Sequence, residues 1–104
     1  MTREELLKEI KARLSAAHGK RLRAVVLYGS EARGTAGPDS DIDVLVLLEG
    51  PVDYLRDLVT NIKTLYPLAL QIERPISAKP IEASEYDSVE CPLYQRVHRE
   101  GISL

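Results

Sequence analysis

Gly29-Ser30-Glu31-Ala32-Arg33-Gly34-Thr35-Ala36-Gly37-Pro38-Asp39-Ser40-Asp41-Ile42-Asp43-Val44 joins two apolar runs and decides how this chain is read. The run before it, Leu22 to Tyr28, is apolar and β-branched, as a buried strand requires. Gly29-Ser30 breaks that run, and Ser30 to about Thr35 has room for a short helix. Gly37-Pro38-Asp39-Ser40 is a turn cluster. In the second run Ile42, Val44, Val46 and Leu48 share one strand face. Asp41, Asp43, Leu45 and Leu47 share the other, because successive side chains alternate sides. Two carboxylates thus project together from one strand end, opposite a Gly-Ser turn.

Outward from this stretch, Thr2 and Glu5 form a capping-box pattern. Leu6, Leu7, Ile10 and Leu14 follow at helical spacing, predicting a helix from about Arg3 to Ala17 that stops near Gly19. Lys20, Arg21 and Arg23 read as a solvated connection. Beyond the second run, Gly50-Pro51 starts a helix with stripe Leu55, Leu58, Val59, Ile62 and Leu65, which Pro67 is expected to stop. Leu68, Leu70 and Ile72 then alternate as a third strand, leading to Glu73. Pro75 and Pro80 reduce Ile76 to Ile81 to a weak or edge strand. A last helix begins at Pro92 and ends at Gly101. The expected fold is α/β (α+β): one domain over residues 1–104, with a mixed β-sheet covered by helices.

Composition narrows the function. The 104 residues carry a formal net charge of −2, which argues against gripping nucleic acid by bulk charge. The longest uninterrupted apolar run, Val44 to Leu48, is far short of a membrane span. Cys91 is the only cysteine, so no internal disulfide forms and no cysteine-based zinc site exists. The charged N-terminal residues lack a signal peptide's apolar stretch, and a reducing cytoplasm is the expected compartment.

Three chemistries compete for the motif. Gly29 and Gly34 fit the start of a P-loop, but Thr35-Ala36 stands where Lys and Ser or Thr are required. Asp39-x-Asp41-x-Asp43 starts like a calcium loop, but Val44 and Gly50 occupy positions that need Gly and Glu. A phosphoryl-type transfer site with two metal ions fits best. Hard divalent cations prefer carboxylate oxygens, so Asp41 and Asp43 can hold them. Backbone N–H groups after Gly29, with the Ser30 hydroxyl, can cradle a triphosphate.

Gly29-Ser30-x-Ala32-Arg33-Gly34 followed by Ser40-Asp41-x-Asp43 resembles the signature of the polymerase-β-like nucleotidyltransferases. The small size is similar to the minimal nucleotidyltransferases of bacteria and archaea. The tail Cys91-Pro92-Leu93-Tyr94-x-x-Val97-x-x-Glu100-Gly101 resembles their C-terminal pattern. The resemblance implies transfer of a nucleoside monophosphate, AMP from ATP, to an acceptor hydroxyl with Mg²⁺, two ions being expected. It implies that Asp41 and Asp43 are metal ligands and that Gly29, Ser30, Arg33 and Ser40 attend the triphosphate. The family's third carboxylate, on the next strand, falls to Glu73. Asp39 and Glu31 are expected to be exposed in the turn, and His18 and His98 on the surface.

The resemblance also implies a helical partner of the HEPN type, in a toxin-antitoxin pair where the nucleotidyltransferase modifies its partner. A homo-oligomer is a further expectation, since the chain has no room for a separate acceptor domain. The competing expectation is an antitoxin that neutralises its partner by contact and keeps only a vestigial site.

Overall fold

The computed structural model describes residues 1–87 and 91–104 of the chain. In order, the elements are α1 (Arg3–His18), β1 (Leu22–Tyr28), α2 (Gly29–Arg33), β2 (Ile42–Leu48), α3 (Tyr54–Ile72), β3 (Ile76–Glu82), α4 (Ala83–Asp87), α5 (Pro92–Glu100) and β4 (Ile102–Ser103). The strands form one sheet in the order β3-β2-β1-β4. β1 runs antiparallel to β2 and β4, and β2 runs parallel to β3. This is the mixed, helix-covered sheet that the sequence predicts.

Local chemistry sets the first half. Thr2 Oγ1 accepts from the Glu5 N–H at 3.2 Å and donates to the Glu5 carboxylate at 3.0 Å, so the N-cap forms where its residues lie. Gly19 ends α1 with φ +58°, a region that favours glycine. One face of the sheet buries Val25, Leu27, Ile42, Val44, Val46 and Leu48 against Leu6, Ile10 and Leu14 of α1 and Leu65 and Leu68 of α3. The other face buries Val26, Leu45, Leu47 and Ile81 with Tyr86 of α4 and Val97 of α5.

The second half differs from expectation. α3 passes straight through Pro67 to Ile72, so the expected strand over Leu68–Ile72 is helix. Proline removes the N–H that would serve the carbonyl four residues back. That carbonyl belongs to exposed Lys63, and Pro67 is itself exposed. Meanwhile Leu65 and Leu68 bury the opposite side, and this outweighs one lost bond. α3 begins at Tyr54, not at Pro51, because the Asp53 side chain accepts from the Arg56 N–H at 3.2 Å. The edge strand expected over Ile76–Ile81 is present and is the third strand, Ile76–Glu82, in unbroken register with β2 from Ile42↔Ile76 to Leu48↔Glu82. Pro80 is tolerated because β3 is an edge strand. Neither α4 nor β4 was foreseen.

Two polar contacts pin α3. His18, expected on the surface, is buried and lies 2.6 Å from Asn61 Oδ1, while Asn61 Nδ2 donates to the Ala78 carbonyl at 2.9 Å. Arg21 is no loose connection: it donates to both Asp57 carboxylate oxygens, at 3.0 and 3.1 Å.

Candidate functional site

The antiparallel register places Tyr28, the last residue of β1, opposite Asp43 on β2. Gly29 follows with φ +74°, in the left-handed region. A Cβ there would lie 2.7 Å from Asp43 Oδ2, so glycine is required both by conformation and by the carboxylate beside it. The turn then enters α2 at Ser30. Asp43 shares its side of β2 with Leu45 and Leu47, which pack under α4 and α5, and is half-buried at that layer's edge. Asp41, just before the strand, is exposed.

Burial, and then the neighbouring Asp41 charge, push the Asp43 carboxyl above the ordinary carboxylate range. Among the described residues neither aspartate forms an ion pair. Two adjacent carboxylates without a cation are the donor set that suits a hard divalent metal. Tyr28 feels the same field: burial first, then Asp43, then Tyr54 raise its phenol.

The other expected residues are placed differently. Ser40 staples the loop: its Oγ accepts from the Gly37 N–H at 2.8 Å. Arg33 is exposed, 3.6 Å from Glu100 of α5. With Tyr28, Gly29 and Arg96 it lines a cavity of about 130 Å³ beside the turn. Glu73 stands on no strand. It caps the C-terminus of α3 with φ +55° and lines the groove beside Tyr66 and Leu70. Among the described residues no third carboxylate, histidine or cysteine joins Asp41 and Asp43 in a metal-sized group. On the neighbouring strand Ser77 aligns with Asp43 and Lys79 with Leu45. Both lie in the stretch expected as a weak or edge strand, and neither is a carboxylate.

Glu31 overturns its expectation too. It is buried, not exposed, and pairs with Arg74 at 2.9 Å and Arg3 at 3.4 Å. The Arg74 hydrogen bond is the main reason its carboxyl sits below the ordinary range. Arg74 Nε also donates to the Ser40 carbonyl at 2.9 Å, which ties the loop leading to Asp41 onto the α3–β3 link. Arg74 lies too far along the chain for any local pattern to reveal this.

The profile of the nucleotidyltransferase domain family matches residues 4–102. The chain belongs to this family. Two relatives from Methanocaldococcus jannaschii agree. "Putative protein adenylyltransferase MJ0604" is 33% identical over 70 residues, covering 67% of this chain and 70% of its own. "Putative protein adenylyltransferase MJ0141" is 36% identical over 89 residues, covering 83% and 90%. Among solved structures, a toxin-antitoxin with AMP-PNP superposes with TM-score 0.65 at 22% identity, over 98% of this chain and 72% of that one. A mutant of the toxin-antitoxin MntA-HpeT gives TM-score 0.63 at 22% identity, over 100% and 72%. At that identity these two likenesses speak for the fold. No helix of this nucleotidyltransferase domain, among the described residues, is long and apolar enough to cross a membrane.

Proposed function

We propose that this nucleotidyltransferase moves AMP from ATP to an acceptor hydroxyl, with Mg²⁺ held by Asp41 and Asp43. The observation that carries this reading is the uncompensated Asp41–Asp43 pair set against the Gly29 backbone. When bound there, the metal supplies charge neutralisation for the triphosphate and for the leaving pyrophosphate. The Gly29-Ser30 turn brings backbone N–H groups close to the phosphates, and Arg33 adds a cation beside them. Tyr28 and the Glu31–Arg74 pair hold the strand end and loop in position. The acceptor lies on a partner protein of the HEPN type, in an antitoxin role; the toxin-antitoxin neighbours and adenylyltransferase-named relatives support this.

One observation favours a second reading. Ser77 occupies the β3 position aligned with Asp43, Lys79 stands two residues further on, and Glu73 does not join the pair. A site with two carboxylates can bind nucleotide yet turn over slowly, leaving neutralisation to contact alone. Transfer of α-³²P label from ATP with Mg²⁺, with and without the partner, separates the two. Label on an acceptor that disappears in Asp41→Asn/Asp43→Asn supports transfer. A double variant that neutralises the partner fully, with no label from wild type, supports contact.

A further inference from the structure

α3 is apolar on two sides. Asp57, Asn61, Leu65 and Leu68 turn inward, and the fold is satisfied by that side. The opposite side carries Leu55, Val59, Ile62, Tyr66 and Leu70, which are 72%, 46%, 54%, 58% and 60% exposed. Their spacing of four, three, four and four residues keeps them on one stripe. The stripe runs about 22 Å along the helix. A groove of about 630 Å³ flanks its C-terminal half, walled by Tyr66, Leu70, Pro75 and Ile76, with the opposite charges of Glu73 and Arg74 together in its lining. Scattered exposed apolar side chains need no explanation, but an aligned row with a groove beside it marks a surface that another molecule covers.

Charge decides what covers it. Arg56 and Lys63 border one edge, both exposed and, among the described residues, without ion pairs. Of the carboxylates near them in sequence, Asp57 turns inward to Arg21, and Asp53 is the N-cap that accepts from the Arg56 N–H. A second copy of this chain fits poorly. An antiparallel two-fold lays this edge against itself, and Lys63, at the middle of the stripe, then meets its own copy. A parallel two-fold sets the cations against the Leu58–Ala69 edge, which has no carboxylate. We infer that the α3 stripe docks an amphipathic helix of a different protein, one whose apolar row is bordered by Asp or Glu. The docked helix sits on the sheet face opposite the Asp43 side chain, so the turn and the aspartates stay open. The inference needs nothing from the nucleotide chemistry and goes beyond it.

The probes are two labelled helical peptides of about 18 residues with the same leucine stripe. One stripe is bordered by Glu and the other by Lys. Fluorescence anisotropy is expected to show saturable binding of the Glu-bordered peptide and about tenfold weaker binding of the Lys-bordered one. Ile62→Asp removes binding. Arg56→Glu/Lys63→Glu reverses the preference between peptides. Circular dichroism and nucleotide binding check that each variant is folded, and Leu55→Asp serves where Ile62→Asp does not fold. Equal binding of the two peptides, or undiminished binding to a folded Ile62→Asp, overturns the inference. So does light scattering that finds a dimer of the chain which Ile62→Asp dissociates, because the occupant is then a second copy.

Discussion

The two ends of β2 treat their carboxylates in opposite ways. Near its C-terminal end Asp57 is buried but answered: Arg21 grips both oxygens, and that hydrogen bond is the main cause holding the carboxyl below the ordinary range. At its N-terminal end Asp43 is half-buried and unanswered, and burial together with Asp41 raises its carboxyl. Glu31, linked through Arg74 to the Ser40 carbonyl, follows the first pattern. Arginine answers these two structural carboxylates, whereas among the described residues no ion pair answers Asp41 and Asp43, where the proposed cation would be held.

Substitutions break or sharpen this contrast. Asp43→Asn should reduce transfer about a thousandfold, or ~4 kcal/mol of barrier, because it removes a proposed metal ligand. The same change should leave stability unchanged or improved at pH 7. The folded carboxyl titrates high, so its ionisation costs stability as pH rises through that value, and Asn removes the cost. Thermal melts at pH 7 and pH 4 check this: the gain should appear at the first and vanish at the second. A large loss of stability at pH 7 would place Asp43 in the structural class with Asp57.

Asp57→Ala should do the reverse. It strands Arg21 and costs about 2 kcal/mol of stability in urea unfolding. Transfer per folded molecule should be unaffected. Gly29→Ala touches both quantities. Its φ of +74° and the 2.7 Å approach to Asp43 Oδ2 cost about 1 kcal/mol of stability. Displacing the carboxylate should lower transfer about tenfold, and a crystal structure of the variant should show Asp43 rotated away from the turn.

The smallest effect is in acid. Asp57 and Glu31 titrate lower in the folded chain than in the unfolded one. Below about pH 5 the unfolded chain therefore takes up more protons, and the stability these groups contribute at neutral pH is progressively lost. Glu31→Gln should flatten that acid slope in melts from pH 6 to pH 3. An unchanged slope would mean that the Arg74 pair is too well solvated to matter.

The α1 cap, the β1 and β2 strands and the Gly29-Ser30 turn opposite two aspartates were all legible in the residues. Each rests on spacing within a few residues, or on a hairpin-like pairing of two neighbouring runs, and the chemistry is written where it acts. The same local logic misjudged Pro67, Glu73, Glu31 and His18. Whether a proline ends a helix depends on which side its missing bond faces, and here that side is exposed while Leu65 and Leu68 are buried beneath β2. Once α3 runs on to Ile72, the expected edge strand over Ile76–Glu82 becomes the neighbour of β2, Glu73 becomes a helix cap, and Ser77 takes the place beside Asp43. Glu31 and His18 are buried because Arg74 and Asn61, each 43 residues away, come to meet them. The sequence by itself determined the family, the strand-turn-strand motif and the carboxylate pair, because those depend on local alternation. Only the tertiary structure decided which carboxylates are neutralised and what flanks the pair, because charge compensation and burial depend on side chains that meet across the fold.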